Sequence, residues 1–329
     1  MRNDGAIELA LIGCGGIAQT HLDAISKVPR IRLAAIQDVN EAAARTCAQT
    51  RGCRAVKDAE AVLRDAEIDA VLICAPPVFH FELMKKAIRA GKHVLCEKPF
   101  TIHLKDAEEI RRLSEKSGTL VMMASKFRFV RDMIEARKFV QAGAIGDIVL
   151  SEVIFCSTVD MTARWNSDPA IAGGGVLIDN GSHAVDVIRY LVGPIRSVYA
   201  QAGKKTQNIQ VEDTARLHFE TEDHIIGMVD LSWSLYKHTA NYANIFGTRG
   251  TLELGWAQSL IWDSDKKASR VFGNGYKKLD AFVSQMEHFA DCIRQKSAPM
   301  LGIDDAVESV RVIEAAYTSI RERRWLKVH

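Results

Sequence analysis

The stretch Ala10-Leu-Ile-Gly-Cys-Gly-Gly-Ile-Ala18 decides the fold of the first part of this chain. It ends an apolar run over residues 8–12 that reads as a short buried strand, and it opens a helical pattern over residues 17–27. Gly13 permits a tight turn, and Gly15 lets backbone come close to a pyrophosphate. The helix that opens at this turn, with Gly16, Ile17 and Ala18 as further cofactor contacts, then brings its N-terminal amides to the negative charge. A glycine turn alone is a weak signal, and its context strengthens it. Asp38 ends the next strand, 20 residues past Ala18. An acid there holds both ribose hydroxyls and repels a 2′-phosphate, which favours NAD while leaving NADP possible. The other reading of Asp38 is a plain strand-end turn residue.

Working outward, strand and helix alternate over the first 124 residues. Strands are expected at residues 32–37, 55–56, 70–74, 93–96 and 120–123, and helices at 41–49, 59–63, 79–90 and 104–116. Short connections between such elements predict a parallel sheet with right-handed crossovers, a doubly wound Rossmann domain. Beyond residue 124 the rhythm changes. A helix over 129–141 precedes a long strand over 148–156, and a helix containing Asp179 runs to 191. Strand-like runs follow near Val198 and over 214–219, 225–232 and 242–246. Helices over 282–294 and 303–321 close the chain. Residues 125–329 thus read as an α+β domain with a large, mostly antiparallel sheet. One face of that sheet should be rather apolar, which argues for a homo-oligomer.

Three groups carry candidate chemistry. Lys98 follows the fifth strand, at the carboxyl edge where ligands of such sheets bind, and Glu97 and Pro99 frame it. The Lys98–Pro99 bond is a candidate cis peptide. The alternative is a surface loop lysine. In Gly175-Val-Leu-Ile-Asp-Asn-Gly-Ser-His183, Asp179 and His183 are one helical turn apart on one face. A histidine is suited to take a hydroxyl proton near neutrality, and a lysine can stabilise charge on oxygen. A satisfied core histidine is the competing view. Gly181 between them makes sense if something approaches the helix backbone. The loop after the fourth strand, with Ala75, Pro76 and His80, should line the nicotinamide ribose. His80 either contacts the cofactor or closes the first turn of the next helix.

Composition bounds the rest. The 329 residues are 47% hydrophobic and 26% charged, enough for two domains of ordinary globular make-up. With 43 basic and 41 acidic residues the net charge is +2, and no basic block points to nucleic acid or a membrane surface. No apolar run approaches the roughly 18 residues of a spanning helix, and no signal peptide is read at the start. Seven cysteines without a Cys-x-x-Cys pair argue for reduced thiols in the cytoplasm, with neither zinc site nor disulfide framework. Cys14 lies in the glycine turn, where alkylation would block the cofactor sterically.

Taken together, Gly13-Cys-Gly-Gly-Ile-Ala18, Asp69-Ala-Val-Leu-Ile-Cys-Ala-Pro-Pro77 with His80, Ala90-Gly-Lys-His-Val-Leu-Cys-Glu-Lys-Pro99, Gly143-Ala-Ile-Gly146 and Gly173-Gly-Gly-Val-Leu-Ile-Asp-Asn-Gly-Ser-His-Ala-Val-Asp186 resemble the Gfo/Idh/MocA oxidoreductases. The resemblance covers nearly the whole chain, and its Glu-Lys-Pro motif is quite specific. It implies a Rossmann domain followed by an open-faced antiparallel sheet domain. That sheet would join copies into a homodimer or homotetramer. It further implies Lys98, Asp179 and His183 as the catalytic trio, and Glu97 and Lys98 beside the cofactor. The implied reaction moves hydride between NAD(P) and a carbinol or ketone carbon of a sugar, sugar derivative or cyclitol. Substrate would meet Lys98, Asp179, His183, Arg128, Trp165 and Asn166, within a wider set of Lys126, Arg131, Arg164, Trp233, Tyr236 and His238. Trp165 would stack on a sugar face, or else pack beneath a loop. The alternatives are a non-catalytic cofactor-binding sensor or repressor, and a glycosidase acting through transient oxidation by bound NAD.

Overall fold

The computed structural model describes residues 5–328, which fall into two units. The chain up to Lys126 forms the first, together with Lys278–Val307. Its strands are β1 (Ile7–Ile12), β2 (Ile31–Gln37), β3 (Arg54–Val56), β4 (Ala70–Ile73), β5 (His93–Glu97) and β6 (Val121–Ala124). They alternate with α1 (Gly16–Ile25), α2 (Glu41–Arg51), α3 (Ala59–Arg64), α4 (His80–Arg89) and α5 (Leu104–Ser117). All strand pairs are parallel, in the order β3-β2-β1-β4-β5-β6. The order reverses between β1 and β4, the switch point at which such sheets bind ligands. Helices on both faces explain why β1, β4 and β6 are buried along their whole length.

The second unit comprises Phe127–Lys277 and the chain from Glu308 on. It contains α6 (Arg131–Gln141), β7 (Ile148–Cys156), α7 (Pro169–Ala172), α8 (Val176–Leu191), β8 (Ile195–Ala202), β9 (Thr214–Thr221), β10 (Ile226–Ser232) and β11 (Asn241–Gly247). Three further strands, β12 (Gly250–Gly255), β13 (Ser259–Asp263) and β14 (Ala268–Gly273), extend the sheet past the last strand expected from sequence. The outermost, β14, is mostly exposed and lacks the alternation that marks a half-buried strand. After these come α9 (Lys278–Gln295), α10 (Ile303–Glu322) and β15 (Leu326–Lys327).

The nine-stranded sheet runs β14-β13-β12-β11-β7-β10-β9-β8-β15 and is antiparallel except for the β7–β10 pair. Register separates its faces. One row across the strands reads Ala200, Leu217, Val229, Val153, Ala243 and Leu254, all buried. The adjacent row, facing the other way, reads Tyr199, His218, Met228, Glu152, Asn244, Glu253 and Leu260, all half-exposed. This open face is mixed in polarity, where the sequence reading expected a rather apolar one. Alternating polar residues suit a face that must tolerate water.

Helix α9 belongs with the first unit, although the expected boundary put everything after residue 124 into one domain. It lies against α1, with Phe282 edge-on to His21 and Arg30 paired to Asp291. An amphipathic helix announces that it has an apolar face but not which distant partner covers it. Among the described residues, no helix is long and apolar enough to cross a membrane.

Candidate active site

The glycine turn joins β1 to α1 at the switch point. Gly13 has φ +89°, and a Cβ there would stand 2.8 Å from the backbone of Cys74 and Ala75 at the end of β4. Glycine is thus required by conformation and by close approach. Gly15 has an ordinary φ of −67° and caps α1 without a side-chain hydrogen bond. A Cβ built on Gly15 or Gly16 would project into open space. The head of α1 is therefore open around its two glycines, so that a ligand can approach the backbone amides there, which suits a pyrophosphate. Asp38 lies beside it, with Oδ2 accepting the Cys14 N–H at 2.8 Å and Oδ1 the Asn40 N–H at 2.9 Å. Two anchored oxygens still leave lone pairs for ribose hydroxyls. Burial and the Asp38 carboxylate push the Cys14 thiol up to about 12, so this cysteine is a poor nucleophile near neutrality. Gly13, Gly15, Gly16, Ile17, Ala18, Asp38, Ala75 and Pro76 all meet at this one edge of the sheet.

Lys98 follows β5 at the same edge and is half-buried. Its backbone N–H donates to Glu97 Oε2 at 3.1 Å, and the Lys98–Pro99 peptide is cis. Glu97 Oε1 accepts from His21 Nε2 at 2.7 Å. Burial alone would raise the Glu97 carboxyl. The His21 hydrogen bond, and the charges of His21, Lys98 and Lys126, outweigh it and hold the carboxyl below its ordinary range. Both Glu97 oxygens are engaged by the protein, and through them Glu97 braces the lysine loop. For His80 the structure shows the second of the two readings, a residue in the first turn of the next helix. Its Nδ1 lies 2.8 Å from the Pro99 carbonyl and its Nε2 2.8 Å from that of Ala75. It opens α4 as a buried clasp between two loops, and burial keeps the ring below its ordinary pKa.

In the second unit, α8 carries Asp179, half-buried, and His183, 6% exposed. Phe127 meets the His183 ring edge-on at 5.2 Å, and Phe155 of β7 lies at 6.5 Å. The glycines before the helix answer to a different residue, Glu212. Its carbonyl accepts the Val176 N–H at 2.9 Å, and its Oε1 accepts the N–H groups of Gly175 at 3.1 Å and Leu177 at 3.0 Å. The Tyr317 hydroxyl donates to the same oxygen at 2.8 Å. A Cβ on Gly174 would strike Tyr317, and one on Gly175 would strike Glu212. A single acidic residue thus satisfies the first amides of the helix and places negative charge at its positive end. Burial outweighs these hydrogen bonds, and the Glu212 carboxyl is pushed up.

Gly181 serves packing. A Cβ there would meet Leu231 at 3.2 Å and Ile313 at 3.3 Å, so the glycine lets α8 settle on β10 and α10. Arg128, expected at the substrate, is 4% exposed and pairs with Asp186 of α8 at 2.7 Å, with its guanidinium over Tyr190. It braces the helix. Trp165, 43% exposed, and Asn166 lie in a turn ahead of α7, in a loop held where Gln207 accepts the Met161 N–H and donates to the Val159 carbonyl. Tyr236 points elsewhere. It lines a cavity of about 540 Å³ with Ile154 and Cys156, which project from β7 opposite to Phe155 and so away from His183. Sequence reasoning missed His21, Glu212, Tyr317 and Gln207. Each acts across 30 or more residues of chain, and no local pattern marks them.

Residues 7–125 match the family model described as "Oxidoreductase family, NAD-binding Rossmann fold", and residues 133–253 match "GFO/IDH/MocA C-terminal domain". The chain belongs to the Gfo/Idh/MocA oxidoreductase family. Relatives include D-apiose dehydrogenase of Paraburkholderia graminis, 27% identical over 97% of this chain and 89% of the relative. Myo-inositol 2-dehydrogenase of Thermotoga maritima is 23% identical over 98% of each chain. The solved levoglucosan dehydrogenase complex with NADH and levoglucosan superposes with a TM-score of 0.91 at 20% identity, covering 98% of this chain and 99% of that one. At that identity the superposition speaks for the fold. For this Gfo/Idh/MocA member, the cradle at the head of α1 is the part of the family's NAD site that its own geometry explains.

Proposed function

We propose that this protein is an NAD-dependent dehydrogenase or reductase acting on a carbinol or ketone carbon of a sugar, sugar derivative or cyclitol. The observation that carries the reading is α8, which presents Asp179 and His183 one turn apart and has its N-terminal amides held by Glu212. The glycine turn, Asp38 and the Ala75–Pro76 loop would hold NAD, which would supply the hydride acceptor or donor. His183 takes the proton from the carbinol oxygen. Asp179 orients the imidazole or accepts a substrate hydroxyl, and Lys98 stabilises negative charge on the reacting oxygen. Trp165 and Asn166 contact the polyol, with Trp165 offering an exposed indole face. The dehydrogenases of D-apiose, myo-inositol and levoglucosan among its relatives support this substrate class.

The same reading has the chain working in the cytoplasm as a homodimer or homotetramer joined through the open face of the large sheet. Light scattering should return a multiple of 36.4 kDa, and a stable monomer at micromolar concentration would contradict it. The activity is tested by an absorbance screen for NAD or NADP reduction over cyclitols, free sugars, sugar acids and nucleotide sugars. One polyol class is expected to drive net turnover of NAD. Protein that binds NADH yet turns over none of these classes defeats the reading.

A further inference from the structure

The first helix holds a buried histidine that the reaction does not use. His21 is 0% exposed on a face of α1 otherwise made of Ala18, Leu22, Ala24 and Ile25. Burying a polar ring in such surroundings is costly unless its hydrogen bonds are made. One is made: Nε2 donates to Glu97 Oε1 at 2.7 Å, while Nδ1 is buried without a partner and Phe282 closes over the ring edge-on at 4.6 Å. Glu97 in turn accepts the Lys98 N–H through its second oxygen. On the far side of the cis peptide, the Pro99 carbonyl is held by His80. The backbone that carries Lys98 is therefore gripped from both ends. One grip leads directly into the helix whose first residues form the phosphate cradle, five residues before His21.

We propose that His21 is a positioning residue for Lys98: acting through Glu97, it ties the helix that cradles the cofactor phosphates to the loop that presents the lysine. This rests on the reading of Lys98 as a group of the reacting centre. An apolar residue would fill the same space at lower desolvation cost. What only a donor at this place supplies is a partner for the buried Glu97 carboxylate, and with it a single direction for the Lys98 peptide.

The test compares His21→Leu, which fills the space without a donor, with His21→Gln, which keeps an N–H to offer. Lys98 is followed by reductive methylation of the whole protein and mass spectrometry of its peptide, with and without NADH. In His21→Leu, Lys98 should be modified about tenfold faster and lose its protection by NADH, the scale of losing a hydrogen bond to a charged group. His21→Gln should recover most of the wild-type rate. If a polyol substrate has been found, kcat should fall by a similar factor in His21→Leu while KM changes little. Should His21→Leu fail to fold by circular dichroism, His21→Asn takes its place, polar but too short to reach Glu97. An unchanged or slower Lys98 modification in a folded donor-less variant overturns the proposal. The labelling needs no turnover, so a failed substrate screen with the expected labelling defeats the functional reading and leaves the positioning role standing.

Discussion

Each unit holds the backbone beside its candidate catalytic side chains with one buried or half-buried glutamate, and the two glutamates behave in opposite ways. Glu97 in the first unit accepts the His21 hydrogen bond and has the cations Lys98 and Lys126 nearby, which together outweigh burial and hold its carboxyl below the ordinary range. Glu212 in the second has only neutral donors, three backbone and side-chain groups on one oxygen, and its carboxyl is pushed above it. The residue type is the same and the task is similar, to hold the backbone next to a catalytic candidate. The sign of the shift follows from the partner: a charge stabilises the ionised form, whereas amides and a phenol at a half-buried site do not fully offset desolvation. A lysine loop can thus be fixed by an ionic grip, and a helix by a cap of neutral donors.

The sharpest way to break the comparison is to remove the proposed catalytic groups themselves. His183→Ala should lower turnover by about 10²–10⁴-fold, the range for a lost general base, with NADH affinity nearly unchanged. Lys98→Ala should also lower turnover and weaken NADH binding, because its loop is braced against the cofactor helix. Steady-state rates and fluorescence titration separate the two. Near-normal turnover of His183→Ala would remove it as the base.

Next come the two braces. Glu97→Leu leaves a buried histidine donor without its partner and should cost about 1–3 kcal/mol in urea unfolding. Glu212→Ala removes a helix cap and should cost about 1–2 kcal/mol. Equal costs would mean that the charged and neutral grips do not differ as argued.

Their pH dependence should differ in sign. Glu97 has a lowered folded pKa, so its stabilisation is complete above the ordinary glutamate value, roughly pH 4, and is lost as pH falls through the folded pKa. Glu212 has a raised folded pKa, so its contribution is present below that ordinary value and is lost as pH rises through the folded one. Melting temperatures across acid and neutral pH should show Glu97→Gln losing part of the acid-side decline, and Glu212→Gln losing part of the decline toward neutrality. The same slope change in both variants would contradict the assigned directions. The smallest effect is expected at Asp38, anchored in the first unit by the Cys14 and Asn40 amides. Asp38→Ser should narrow the preference for NADH over NADPH by about tenfold in the ratio of Kd values. Tighter NADPH than NADH binding by the unaltered protein would overturn the NAD assignment.

Local pattern was enough to read the parallel sheet, the glycine turn with Asp38, the cis-prone Lys98–Pro99 step and the pairing of Asp179 with His183 on one helical face. Each of these is a matter of spacing within a few residues or of strand and helix period, and steric rules act at that range. Only the tertiary structure decided that His21 grips Glu97, that Glu212 and Tyr317 are why Gly174 and Gly175 must be glycines, and that Arg128 serves Asp186. It also decided that α9 returns to the first unit, and that β12–β14 widen the sheet beyond β11. The physical reason is common to all five. A buried polar atom or an apolar face demands a partner, but sequence records only the demand. Which distant residue meets it depends on where the folded chain brings that residue in space.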